Sequence, residues 1–137
     1  MNVLINFRHG LGDAAQLTAV LEHLRYYFPD WEVDVAALVG KHSVLHGLCR
    51  NVFILGRQRV FHSRYDRVFE LAWDECPTCY GDWPSTKVER CLLEVFRITP
   101  IPEKCRYTIW PSETAIQSAR RYLEGTCKVT PGDDGRY

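Results

Sequence analysis

Net charge is absent from this sequence: 17 lysines and arginines balance 17 aspartates and glutamates over 137 residues, and the isoelectric point is near 6.9. A whole-molecule field that would gather nucleic acid or an anionic surface is thereby excluded, and any electrostatic partner has to be met by a local patch. Long apolar runs are missing too. The run Val35 to Val39 falls far short of the roughly 18 residues that a membrane-spanning helix needs. Met1 to Arg8 lack both the charged leader and the apolar core of a secretory signal, so the expected location is the cytoplasm. Six cysteines would suit a disulfide framework in an exported chain; here they read as reduced thiols.

An apolar content of 46% over this length describes a globular domain that buries about two-thirds of its unfolded surface without metal or disulfide staples. The β-branched run Val3 to Phe7 reads as a buried strand that ends in the turn Arg8-His9-Gly10-Leu11-Gly12-Asp13. From Asp13, the apolar positions Leu17, Val20, Leu21, Leu24 and Phe28 share one helical face, and Pro29 stops the helix. Further strands are predicted over Glu32 to Leu38, Val52 to Leu55 and Arg67 to Ala72, with a short helical stretch through Val44, Leu45 and Leu48. Helices are predicted over residues 86 to 97 and from Ser112 to Gly125, with a short strand over Arg106 to Ile109 between them. The alternation points to an α/β fold, a Rossmann-like parallel sheet with helices on both faces. Its domain spans residues 1 to 126, and residues 127 to 137 have the composition of a linker or truncated end.

In such a sheet ligands gather outside the carboxyl ends of the strands, which brings together residues 8 to 13, 39 to 42, 56 to 59 and 72 to 76. Gly10 to Ala15 match G-x-G-x-x-G/A between strand and helix. Glycines let a ligand approach the backbone, and the helix end favours negative charge. A plain tight turn is the other reading. A dinucleotide site would want an acid at the end of the second strand, yet Asp34 lies mid-strand. Asp13, with Gln16 three residues on, has the spacing of a helix cap; a carboxylate there is also placed to take a proton from a bound hydroxyl.

Cys76 and Cys79 form a C-x-x-C, read as ordinary loop thiols against thiol redox or half a zinc site. His9, His42 and His46 lack a metal-ligand spacing on one helix, so no metal site is expected. Arg57, Arg59, Arg64 and Arg67 with His62 form a basic run, either solvated or an anion-recognising lip, and Lys41 and His42 fall on the same sheet edge.

At the Gly10-Leu11-Gly12-Asp13 turn with its helix, and again at Tyr65-Asp66-Arg67-Val68-Phe69-Glu70-Leu71, the sequence resembles glycosyltransferase family 9, the ADP-heptose:lipopolysaccharide heptosyltransferases. The second stretch is similar to the family's Y-D-x-V-x-D-L strand motif, with Glu70 in place of aspartate. Arg8 and His9 stand where many members carry small or apolar residues, and Ala72-Trp73 where glutamine-glycine is common.

The resemblance implies the acceptor-side N-terminal half of a two-domain GT-B enzyme, inactive alone, whose C-terminal donor-binding domain is missing from the chain. It implies inverting, metal-independent transfer of a heptosyl or hexosyl group from a nucleotide-sugar, ADP-heptose among the options, to a saccharide such as the lipopolysaccharide core. No cofactor beyond that donor is implied. Asp13 would be the catalytic base, and Gly10, Gly12, His9 and Trp73 would line the turn. Lys41, His42, Arg57 and Arg59 would meet the acceptor's acidic groups. Nucleic acid is not an expected partner, and contact with the inner membrane face would be peripheral at most. A freestanding Rossmann-like module that binds a nucleotide or phosphate at the glycine turn is the alternative.

Overall fold

The computed structural model describes residues 1–71, 73, 87–134 and 136. Four parallel strands form one sheet in the order β3-β2-β1-β4: β1 is Asn2–Phe7, β2 Glu32–Ala37, β3 Asn51–Ile54 and β4 Arg67–Leu71. Register runs Val3 against Val33 on one side and Val3 against Arg67 on the other. This is the Rossmann-like arrangement that the alternation predicts.

Between β1 and β2 lies α1, Leu11–Tyr27, which buries Ala14, Leu17, Val20, Leu21 and Leu24. These meet Val3, Ile5 and Phe7 of β1, Val33, Val35 and Ala37 of β2, and Leu71 of β4, the alternate residues of one sheet face. A second helix, α2 (Lys87–Arg90), widens into a π turn over Cys91–Val95 and adds Val88, Leu92 and Phe96 to the same core. Among the described residues, α1 and α2 thus share one face, a narrower outcome than helices on both. Asn6 and Asp34 occupy the opposite face, where the connection 55–66 reaches them through His62 and Tyr65.

Between β2 and β3 the helical stretch shortens to a 3-10 turn, His42–Leu45. The strand expected over Arg106 to Ile109 does not form. Thr108 gives its backbone amide to the Thr18 hydroxyl at 3.0 Å, so this segment crosses α1 instead of extending the sheet. Ahead of it, buried His23 ties Ile101 down: the Ile101 amide donates to Nε2 at 2.9 Å, and Nδ1 donates to the Ala19 carbonyl at 2.7 Å. The third helix, α3 (Glu113–Arg121), is capped by the Ser112 hydroxyl, which accepts from the Ala115 amide, and ends in a π turn over Tyr122–Thr126. It buries no residue. Residues 127–134 are exposed and carry no strand or helix.

Both π turns close with a non-glycine residue in the left-handed region, Arg97 at φ 58° and Lys128 at φ 57°. The next amides, of Ile98 and Val129, reach back to the carbonyls of Leu92 and Leu123. Free carbonyls at a helix end are satisfied this way, at the steric cost of a side chain where glycine is preferred.

Candidate functional site

The strand order reverses direction at β1, whose neighbours β2 and β4 lead away on opposite sides; the crevice at the carboxyl ends of β1 and β4 is the switch point where open α/β sheets take ligands. An aromatic clamp forms its floor. His9 leaves β1 buried, its ring 4.8 Å from Phe7, and Phe7 meets Trp73 edge-on at 5.1 Å. The Trp73 backbone amide donates to His9 Nε2 at 3.1 Å, and the same nitrogen stands 2.7 Å from the Leu71 carbonyl oxygen. His9 and Trp73 are therefore wall, binding the end of β4 to the end of β1, and not exposed contact surface.

Above this floor, α1 starts three residues earlier than the cap reading of Asp13 requires. Gly10 is the N-cap, extended at φ −69° and ψ 178°, and no side chain caps the helix. Asp13 sits at the third helical position, so the Asp13–Gln16 capping box does not form. Neither Gly10 nor Gly12 has positive φ, and a Cβ built on either meets nothing within 4 Å. Among the described residues, backbone angle and packing thus both fail to explain the glycines. What they provide is open space above first-turn amides that have no partner within the helix, at its positive end.

Asp13 Oδ1 accepts from Lys87 Nζ at 2.9 Å, with the side chains 20% and 17% exposed. A first-turn carboxylate also benefits from the helix dipole. The pair joins α1 to α2 beside the crevice and fixes the carboxylate's direction. Among the described residues Lys87 is its partner, and no spacing rule links positions 13 and 87, so sequence reasoning missed it. Lys41 and His42 follow the β2 end, half-buried, after Gly40 turns the chain at φ +76°. Exposed Arg57 and Arg59 follow the β3 end, after Gly56 at φ +80°. Topology places all four on the same edge as Asp13, toward the β3 side.

Two concavities lie elsewhere. One of about 550 Å³, lined by Leu21, Arg25, Trp31 and Arg50, opens at the amino ends of β2 and β3. The other, about 620 Å³, lies between residues 43–47 and 109–115 beside exposed Trp110. Neither of these two concavities reaches Asp13. The switch-point edge carries the paired carboxylate and the open turn, and these weigh more than hollow volume.

Asp34 is explained by the opposite face. Only 2% exposed, it accepts from Arg50 Nε at 3.0 Å and Nη2 at 2.8 Å, from the Asn51 amide and side chain at 3.1 Å each, and from the Tyr65 hydroxyl at 2.8 Å. Burial pushes this carboxyl up, but the hydrogen bonds and charge of Arg50 with those of Tyr65 and Asn51 outweigh it and hold it below the usual range. Arg50 also pairs with Glu32. Burial and the bond to Asp34 raise the Tyr65 hydroxyl to about 12, and burial with the Asp34 charge raises the Cys49 thiol to about 12. Asp34 is thus the hub of a structural network, not a ribose-binding acid.

Among the described residues no group of three or more His, Cys, Asp or Glu is arranged to hold a metal, and no helix is long and apolar enough to cross a membrane. Cys76 and Cys79 lie outside the described residues. No protein-family model, curated protein or solved structure matches the chain.

Proposed function

We propose that the chain is the acceptor-side half of an inverting glycosyltransferase similar to family 9, acting on an anionic saccharide of the lipopolysaccharide-core type. The observation that carries this reading is Asp13, a directed carboxylate at the switch point beside two glycines that no contact among the described residues requires. With Oδ1 held by Lys87, Oδ2 takes the proton of an acceptor hydroxyl. That oxygen attacks the anomeric carbon of the donor sugar from the side opposite the leaving nucleoside diphosphate, which departs with the bonding electron pair. In-line displacement inverts the anomeric centre. Lys41, His42, Arg57 and Arg59 face the acceptor's acidic groups, since lysine and guanidinium match phosphate and carboxylate oxygens. A second domain supplies the donor site.

The test is a nuclear magnetic resonance titration of the ¹⁵N-labelled chain with a phosphorylated core oligosaccharide and, separately, with ADP. Oligosaccharide is expected to move the Gly10, Gly12 and Asp13 amides while ADP leaves them in place. Tight ADP binding at those amides without an oligosaccharide response overturns the reading in favour of a freestanding nucleotide-binding module. In a protein carrying both halves, Asp13→Asn is expected to lower turnover by about 10²- to 10⁴-fold, the usual worth of a positioned base. Unchanged turnover removes Asp13 from that role.

A further inference from the structure

We propose that Arg59, Phe61 and Arg64, on the connection between β3 and β4, anchor the protein to an anionic phospholipid surface. Residues 56–67 contain four arginines and one acid, Asp66, whose carboxylate accepts the Asn2 backbone amide at 2.7 Å. Among the described residues Arg59 and Arg64, like most of the basic side chains, form no ion pair. Instead, both guanidinium groups stand over the Phe61 ring, at 5.9 and 5.0 Å from its centroid. Phe61 is 48% exposed.

An exposed phenylalanine alone needs no explanation. Here two cations with no ion pair among the described residues stand over one half-exposed ring, so positive charge and apolar surface meet on this connection. Guanidinium forks fit phosphodiester oxygens, and an aromatic ring beside them lies at the depth of headgroups and upper acyl chains. Free phosphate would leave the ring unused. A nucleic acid would want a broad basic field along with its stacking faces, whereas the basic run here is local to one connection on a molecule of zero net charge.

The proposal shares Arg59 with the proposed acceptor edge, does not depend on the transfer reaction, and is tested without it. The chain is mixed with vesicles of phosphatidylcholine alone or of phosphatidylcholine with phosphatidylglycerol, and bound protein is separated by flotation. Binding is expected only to the mixed vesicles and to weaken with salt. Each arginine near an anionic surface contributes about five-fold in partition, so Arg59→Ala with Arg64→Ala lowers it by about 25-fold. Phe61→Ser weakens binding while leaving its salt dependence intact, and Phe61→Trp shows fluorescence quenched by brominated acyl chains beyond that of the wild type. All three positions are exposed, and far-ultraviolet circular dichroism checks that each variant folds. Absence of binding, equal binding to both vesicles, no loss in the arginine variant, or no added quenching at position 61 overturns the proposal. Displacement from vesicles by a single-stranded RNA that binds the Phe61→Ser variant equally well also overturns it, marking a polyanion surface instead.

Discussion

Asp34→Asn tests the network on the polar face of the sheet. The substitution keeps the shape of the side chain but removes the charge that Arg50 faces, and it presents an amide group to donors from Arg50, Asn51 and Tyr65. Breaking a buried pair from one side costs about 3–5 kcal/mol. Arg50 is 39% exposed and can be rehydrated, so the expected loss is at the lower end, about 3 kcal/mol. For a chain of this length that corresponds to a fall of roughly 12 °C in Tm. Urea unfolding followed by tryptophan fluorescence, with thermal melts at pH 7, measures it.

The pH dependence supplies a second readout. Because the native state holds the Asp34 carboxyl below its usual range, the stabilisation is full above the unfolded carboxyl value near 4 and is lost as pH falls through the native value. The gap between wild type and Asp34→Asn is therefore expected to close in acid. Adding Arg50→Met is expected to recover part of the loss, since no uncompensated charge remains. A loss under about 1 kcal/mol, within the range of an ordinary single hydrogen bond, would refute the assignment of Asp34 as hub. So would a gap that stays constant down to the acid transition.

Gly12→Ala is expected to stabilise α1 by up to about 1 kcal/mol, because the site is helical and open, while weakening the response of the turn to oligosaccharide. Thermal melts and the amide titration read the two effects; destabilisation would mean that the space is not free. Arg97→Gly is expected to raise stability by several tenths to about 1 kcal/mol by relieving the left-handed backbone at φ 58°. A melt no higher than wild type would refute that strain. At pH 8, Cys49 is expected to react with iodoacetamide far more slowly than exposed Cys127, because its thiol is raised to about 12. Peptide mapping of the labelled protein decides it, equal labelling being the adverse result.

The strands were legible as short apolar runs and α1 through its helical period, and the structure buries most of those positions together. Asp13 was legible as a candidate but not as a first-turn residue, since a cap signature at 13 and a start at Leu11 look alike until Gly10 is seen as the N-cap. The segment Arg106 to Ile109 has strand-like residues but takes its partners from α1, and no local pattern announces Thr18 or His23 as those partners. Asp34 carried a weak signal, an acid among Val33, Val35 and Ala36 that had to find a cation once buried. The identity of that cation, Arg50, follows only from the register of β2 against β3. Lys87 was unreadable for the same reason at greater range. Nothing short of the sheet order brings it to Asp13.

Strand order also governs how quickly the chain can reach this arrangement. β1, α1, β2 and β3 pair in chain order, but β4 must return past two strands to lie beside β1, so that Val3 meets Arg67. Closing so long a loop before its contacts form is slow for entropic reasons. The Tyr65 hydroxyl on Asp34 fixes the chain two residues before β4, shortening the search once the first three strands exist. Tyr65→Phe is therefore a refolding variant as much as a stability variant. Its signature in stopped-flow kinetics is a slower folding limb, and until β4 arrives the flank of β1 stands open as an unpaired edge, where a second chain could add its own strand.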